Sequence, residues 1–528
     1  RYHDIELMID SAVNVVDDVL LETLNESSDA QMREIVATIQ RDQNAIIRDD
    51  EAKVLVIQGV AGSGKTSIAL HRIAFLLYRY RDTLSSEDVL IISPNRVFSD
   101  YIANVLPELG EEEVREIGME DLAEALLEGQ YRFQSFFEQT EALLTATDEA
   151  LKERIRFKAE PEFLRQLRRY AEHVEKNRFR EEDLWVARRL VPGFLMAGVF
   201  AKHKRLPLGQ RVAQTTHEVT RKIALEYNYE LTPDEVRELR EAIRDRVQAQ
   251  TLRQAYRGFY DWLDRPGMFR PAGNKLEYAD VFPLIYLKMQ LEGVRSAYRD
   301  VKHLLIDEMQ DYTPVQYAII ARLFECRMTI LGDAWQSVNP YSASTAELIR
   351  EAFGGATCVG LHKTFRSTAE IAHFANRISP NPELEVVERH GPEPEILACT
   401  NRRKELDAIV ERIEAFRASD HQSLGIICKT RRQAARLHKA LEKRLGDIHL
   451  LDTHSAAVAS GVIVMSAHLA KGLEFDRVIV PEATAANYAN DMDRNLLYVA
   501  CTRAMHRLTL THVDEASGFV VGSNRRGE

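Results

Sequence analysis

Residues 54–66 read VLVIQGVAGSGKT. The first four are apolar and mostly β-branched, the composition of a buried strand. From Gly59 to Thr66 the chain fits Gly-x-x-x-x-Gly-Lys-Thr. Gly59, Gly62 and Gly64 let the backbone curl tightly enough for its N–H groups to face a phosphate, with Ser63 and Ser67 counted among the same phosphate-binding positions. Lys65 is spaced to reach the β- and γ-phosphates, and Thr66 to offer its hydroxyl to Mg²⁺. A helix starting here points its positive end at the anion. The bland alternative is a glycine turn with a chance lysine. The strand before it and the amphipathic helix after it argue against that, so the stretch predicts binding of a nucleoside triphosphate.

Outward from this stretch, 528 residues allow two to four domains and a large core. Apolar content is 45%, ordinary for a globular chain, and no apolar run approaches the roughly 20 residues of a membrane span. The five cysteines are scattered without a C-x-x-C pair, which predicts reduced thiols in a cytoplasm and excludes a disulfide framework or zinc site. A net charge of −12 restricts any nucleic-acid contact to a local patch, or makes a protein the main partner. Arg1 is not an initiator, so a fragment or processed chain is expected. A monomer is expected as a separate matter.

Residues 4–40 carry helical periodicity with an acidic face, either a solvated face or one arm of a longer helical hairpin. Gln43, sixteen positions before Gly59, offers the donor and acceptor together that suit an adenine edge. A second buried strand over 89–92, ending in Ser93-Pro94-Asn95, makes the first hundred residues a βαβ unit. From about 119 to 273 helix-forming sequence dominates, with no notable strand. Thr232-Pro233-Asp234-Glu235 is a helix start. Within it, residues 151–210 hold 15 Lys/Arg against 8 Asp/Glu, interleaved with Phe157, Phe163, Tyr170, Phe179, Trp185, Phe194 and Phe200. Two readings stand, a helical domain with core aromatics or a nucleic-acid surface, and the first is preferred.

A short strand at 303–306 is followed by Asp307-Glu308. The first carboxylate can hold Mg²⁺ and the second can orient or deprotonate the attacking water. Another strand at 328–331 leads into a polar cluster containing Gln336, where a parallel sheet presents its ligand-binding loops. Beyond 344 a second α/β region is expected, with strands at 424–428, 462–465, 478–480 and 508–511 and a helix over 432–445. It is punctuated by Thr364-Phe365-Arg366-Ser367, by Ala470-Lys471-Gly472-Leu473-Glu474-Phe475 and by Cys501-Thr502-Arg503-Ala504. The last fifteen or so residues are expected to fray.

In this order the clusters resemble a superfamily 1 helicase of the UvrD/Rep type over about 39–127 and 276–512. The resemblance implies an α/β architecture: two RecA-like P-loop NTPase domains with parallel sheets, ATP between them, and an inserted all-helical domain in the first. Its boundaries are an N-terminal helical segment 1–39, a first domain 40–127 and 276–345, the insertion 128–275, and a second domain 346–528. It further implies that Gln43 reads adenine, Phe365 stacks on its ring and Glu474 contacts the ribose. Lys65, Thr66, Asp307 and Glu308 keep the roles above, Gln336 senses the γ-phosphate, and Arg366 and Arg503 stabilise the transition state.

Three departures stand out. Translocating relatives grip single-stranded DNA with aromatics after the third motif, where this chain has Ser337-Val338-Asn339-Pro340-Tyr341-Ser342. An earlier stacking phenylalanine is replaced within Ile92-Ser93-Pro94-Asn95. Stacking is worth about 1–3 kcal/mol per base, so the loss weakens strand grip substantially. The 85 residues between Arg377 and Val462 leave no room for the large second-domain insertion of unwinding enzymes. Residues 39–78, 276–287 and 467–507 look similar to the HelD branch of Gram-positive ATPases, which implies RNA polymerase as partner and 1–39 as the root of a coiled-coil arm. The alternatives are a DNA helicase or translocase, and a nucleotide-sensing clamp with little turnover.

Overall fold

A computed structural model describes residues 43–93, 114–145, 148–204, 206–248, 250–271, 273–293, 297–333, 346–452 and 461–521. The helix expected over 4–40, Pro94-Asn95, Gln336 and the stretch 337–342 lie outside the described residues.

Among the described residues sixteen strands form in chain order: β1 (Val54–Gly59), β2 (Val89–Ser93), β3 (Arg115–Gly118), β4 (Leu184–Val186), β5 (Arg189–Val191), β6 (His303–Ile306), β7 (Arg327–Gly332), β8 (Thr357–Leu361), β9 (Lys363–Thr364), β10 (Glu385–Val386), β11 (Glu395–Ala398), β12 (Ser423–Cys428), β13 (His449–Leu450), β14 (Gly461–Ser466), β15 (Phe475–Val480) and β16 (Ala504–His512). Two six-stranded sheets result, ordered β3-β2-β6-β7-β1-β8 and β11-β16-β15-β12-β14-β13. Every pairing within them is parallel. Parallel sheets need both faces covered, which is why their central strands are continuous apolar runs. In the first sheet Val56, Ile330, Ile306 and Ile92 form one row across four strands, so the loops after these strands open on a common edge. β1 and β2 are parallel members of one sheet, as a βαβ unit requires, but β6 and β7 lie between them.

Between residues 65 and 291 ten α-helices form among the described residues: α1 (Lys65–Arg79), α2 (Met119–Leu127), α3 (Phe136–Thr145), α4 (Glu149–Ala159), α5 (Pro161–Lys176), α6 (Gly193–Lys202), α7 (Leu208–Tyr227), α8 (Pro233–Asp245), α9 (Leu252–Trp262) and α10 (Tyr278–Leu291). Thr232 caps α8 through the expected capping box. α10 is apolar nearly all round, the pattern of a helix buried on every side. It shares one core with α5, α9 and the first sheet, through Leu167, Phe259, Ile285 and Ile306. Residues 179–247 gather around a separate core containing Phe179, Phe200, Val219 and Ile243. That unit includes the antiparallel hairpin β4–β5, which corrects the expectation that the helical stretch lacks strands. Three-residue strands are too short for an alternation to be read.

In the second sheet, alternation of side chains divides two cores. Ile427, Met465 and Val480 face helices Ala369–Ile378 and Asp491–Cys501, while Ile426, Val464 and Ile479 face helices Arg402–Arg417 and Arg431–Leu445. The chain end docks further than expected: Val520 is buried and Ser517 Oγ donates to the Tyr488 carbonyl at 2.9 Å. α3 touches both lobes. Its Phe136 ring lies 5.6 Å from that of Tyr278 on α10, and its Phe137 ring lies 5.6 Å from that of His468 beyond β14.

Candidate nucleotide-binding site between the lobes

The turn after β1 uses its glycines as the sequence requires. Gly62 and Gly64 have φ of 73° and 77°, the left-handed region that disfavours a Cβ. A Cβ on Gly62 would lie 2.6 Å from Arg366 Cβ and 2.8 Å from Thr364 Oγ1, so this glycine also admits the segment that leads into the second lobe. The Phe365 N–H donates to the Gly62 carbonyl at 2.9 Å. α1 begins directly at Lys65, whose ammonium donates to the carbonyls of Gly59 and Val60 at 2.8 and 2.9 Å. Burial lowers its pKa, while the charges of Asp333, Glu308 and Asp307 work the other way. Ser63 Oγ is buried without a hydrogen-bond partner. Thr66 and Ser67 occupy the first turn of α1, where Ser67 Oγ is 3.4 Å from His71 Nδ1. Gln43, in the helical segment 43–48, brings its amide nitrogen to 3.8 Å from a Cβ built on Gly64.

The carboxylates arrive from β6. Asp307 is buried, its N–H donates to the Ile92 carbonyl at 3.0 Å, and its Oδ1 accepts the Glu308 N–H at 2.8 Å. Burial raises its pKa, and the neighbouring Glu308 charge adds to this. Glu308 sits at φ 54°, a conformation costly for a side-chain-bearing residue and common where function fixes the geometry. Burial pushes Glu308 upward too, but Lys471, Lys65 and Arg503 outweigh it and hold this carboxyl below its usual range.

Lys471 comes from the second lobe. Its ammonium lies 2.5 Å from Asp311 Oδ2 and 3.3 Å from Glu308 Oε2, with all three side chains at least mostly buried. Burial works to lower its pKa, yet the two carboxylates keep it raised. Gln310 ties the cluster to the next strand: it donates to Glu308 at 2.6 Å and accepts the Asp333 N–H at 3.0 Å.

Both arginines singled out in the sequence lie at this edge. Arg366 pairs with Glu474, its backbone carbonyl accepts from Arg389 at 3.0 Å, and its Nε is buried without a partner. Arg503 is buried, donating to the Val499 carbonyl at 3.1 Å and to Thr502 Oγ1 at 3.2 Å. Burial, with the nearby charge of Arg366, lowers its pKa to about 10. Of the residues predicted from sequence, the structure thus gathers Gln43, Gly59, Gly62, Ser63, Gly64, Lys65, Thr66, Ser67, Asp307, Glu308, Phe365, Arg366, Glu474 and Arg503 around one cleft. Lys471 and Gln310 had no role assigned. Their only signal was position, one inside the Ala470–Phe475 cluster and one beside the acidic pair.

A profile of the UvrD/REP helicase N-terminal domain matches residues 39–352, and one of the UvrD-like helicase C-terminal domain matches 461–511. The chain belongs to the UvrD/REP helicase family. It is 26% identical over 242 residues to DNA helicase IV of Escherichia coli (strain K12), covering 42% of this chain and 35% of that protein. It is 24% identical over 255 residues to a putative ATP-dependent DNA helicase of Acanthamoeba polyphaga mimivirus, covering 43% and 36%. The chain therefore spans about a third of the length of these two relatives. A crystal structure of the C-terminal domain of a possible DNA helicase from Lactobacillus plantarum matches with 35% identity and a TM-score of 0.27, covering 30% of this chain and 94% of that one. Among the described residues no helix is long and apolar enough to cross a membrane.

The residues present fit a nucleoside triphosphate. The glycine cradle would be filled by any Cβ at Gly59, where Ser63 Oγ would be 2.5 Å away, and the orphaned Ser63 hydroxyl faces a loop built for an anion.

Proposed function

We propose that the chain is an ATP-hydrolysing, helicase-like motor whose two lobes close on the nucleotide. The observation that carries this reading is the meeting of Lys471 with Glu308 and Asp311 across the cleft, beside the phosphate loop. Bound MgATP supplies the phosphoanhydride bond whose cleavage drives the cycle. Lys65 and the turn from Gly59 to Gly64 hold the phosphates, and Thr66 with Asp307 holds Mg²⁺. Glu308, kept ionised by its cationic neighbours, takes the proton of the attacking water. Arg366 and Arg503 stabilise charge on the transferring phosphoryl group, Gln336 senses it, and Gln43, Phe365 and Glu474 hold the nucleoside. Because the base comes from one lobe and the arginines from the other, closure and chemistry are linked. The domain division takes the boundaries 40–127 with 276–345, 128–275 and 346–528, corrected at one point: Ile349 lies in the first core and β8 (Thr357–Leu361) pairs with β1, so the first lobe runs on to about residue 361.

DNA is the partner that the relatives' names support. RNA polymerase, as in the HelD branch, is the second reading, supported by the serine in place of the stacking phenylalanine at the end of β2 and by the sequence at 337–342. Phosphate release, measured alone, with single-stranded DNA and with purified RNA polymerase, tests both. Stimulation by DNA that survives physiological salt supports a DNA motor. Stimulation by polymerase with indifference to DNA supports the second reading. No turnover under any condition overturns the motor.

A further inference from the structure

The aromatics of the basic stretch divide in the folded chain. Phe163, Tyr170, Phe179 and Phe200 are core residues, whereas Trp185 and Phe194 are 68% and 71% exposed. Trp185 stands on the β4–β5 hairpin, whose two-residue turn is Ala187-Arg188, with φ of 45° and 62°. Such turns favour Asn-Gly, because side-chain-bearing residues are disfavoured at positive φ. Here an alanine and an arginine hold it, and the arginine projects into solvent.

The surroundings brace this tip. Leu190, the cross-strand partner of Trp185, accepts a hydrogen bond on its carbonyl from the Tyr227 hydroxyl at 3.1 Å. The Arg189 guanidinium lies 3.5 Å from the centroid of the Tyr229 ring. Charge then selects the partner. In a chain of net charge −12, residues 184–205 contain five Lys/Arg and no Asp or Glu. The acids just before the hairpin are partly committed: Asp183 accepts the Gly193 N–H at 2.8 Å and Glu182 lies 3.6 Å from Arg180. Glu235, which feels the charge of Arg189, is engaged by the Thr232 N–H at 2.8 Å. Arg188 makes no ion pair among the described residues.

An exposed indole three residues from an exposed guanidinium that makes no ion pair among the described residues matches a polyanion with flat faces. The ring offers a sequence-tolerant stacking platform and the arginine neutralises a phosphate. We propose that the β4–β5 hairpin is a contact surface for single-stranded nucleic acid, with Trp185 stacking on a base and Arg188 on an adjacent phosphate. The hairpin lies in the unit with its own core.

Fluorescence anisotropy of a labelled oligothymidylate, titrated with the whole chain over a series of salt concentrations, tests it. Trp185→Ala weakens binding about five- to a hundredfold, and Trp185→Phe retains most of the affinity. Arg188→Ala flattens the dependence of log K on log salt by about 0.7. Phosphate release without oligonucleotide is unchanged in all three variants. Absence of binding by the unaltered chain at low salt, or unchanged affinity and salt slope in Trp185→Ala and Arg188→Ala, overturns the proposal. So does unchanged oligonucleotide affinity in Trp185→Ala with loss of binding to immobilised RNA polymerase, which assigns the hairpin to a protein partner.

Discussion

The cleft and the 179–247 unit employ the same kinds of side chain in opposite surroundings. In the cleft, Lys471, Asp311 and Arg503 are buried and each is held by several partners. In the unit, Trp185 on β4 and Arg188 in the turn that follows stand in water, the turn having an unfavourable backbone. Charge in the first place is organised for strength in a low-dielectric setting, where removing one member strands the rest. Charge in the second is left available. On the proposed readings, the difference teaches that chemistry and recognition are separated: one is built where loops of two sheets converge, the other where a small core of its own supports a hairpin.

The largest expected effects break the cleft side of this contrast. Lys65→Ala brings phosphate release to background, because Lys65 is the lysine that the phosphate loop itself carries. Arg503→Ala leaves the affinity for a fluorescent ATP analogue largely intact and lowers turnover about 10³-fold or more, as for an arginine finger. Full turnover in either variant would reduce the cleft to a structural feature.

Next comes the buried charge itself. Lys471→Met leaves Asp311 and Glu308 without their shared cation and destabilises the chain by about 3–5 kcal/mol in equilibrium urea unfolding. Replacing Asp311 by Leu in the same chain restores part of the loss, since an apolar pair no longer strands a charge. A Lys471→Met chain as stable as the original would show that the ion pair crosses the cleft without holding it.

The independence of the second region is tested in its core. Phe200 is buried, 5.0 Å from the Phe179 ring and covered by the Arg211 guanidinium at 3.8 Å from its centroid. Phe200→Ala costs about 3–5 kcal/mol locally. Hydrogen exchange accelerates through residues 179–247 while phosphate release without DNA is retained. Loss of turnover alongside the faster exchange would mean that the two regions are one cooperative body.

Legibility in the sequence divides along the same line. The phosphate loop was legible because its chemistry demands glycines, a lysine and a threonine at fixed spacing, and the central strands were legible because burial on both faces leaves unbroken apolar runs. Edge strands were not. β11 is Glu-Ile-Leu-Ala with alternating exposure, and β3 begins with an exposed arginine, so neither displays such a run. Lys471 gave no signal of its own because its partner Asp311 lies 160 positions away. The exposure of Trp185 was equally hidden, since its spacing does not distinguish it from Phe179 or Phe200, which point inward.

The smallest effect belongs to an exposed pair in the second lobe, a control on the buried cluster. His390 Nδ1 lies 2.9 Å from Glu370 Oε1, and the Gly391 N–H donates to Glu370 Oε2 at 2.8 Å. The hydrogen bond to Glu370 raises the histidine above its ordinary 6.5, and the same bond, with backbone donors, pulls Glu370 from 4.5 to about 2. The raised histidine contributes fully below 6.5 and loses its contribution as pH rises through its folded value. The depressed carboxylate contributes above 4.5 and loses its share as pH falls toward 2. The pair therefore acts most strongly between 4.5 and 6.5. Melting of the original chain and of His390→Ala differs most in that window, the difference shrinks with added salt because the imidazole is exposed, and it vanishes well above the raised histidine value. A difference that persists at alkaline pH would assign the contact to packing rather than charge, unlike the buried Lys471 cluster that joins the two lobes.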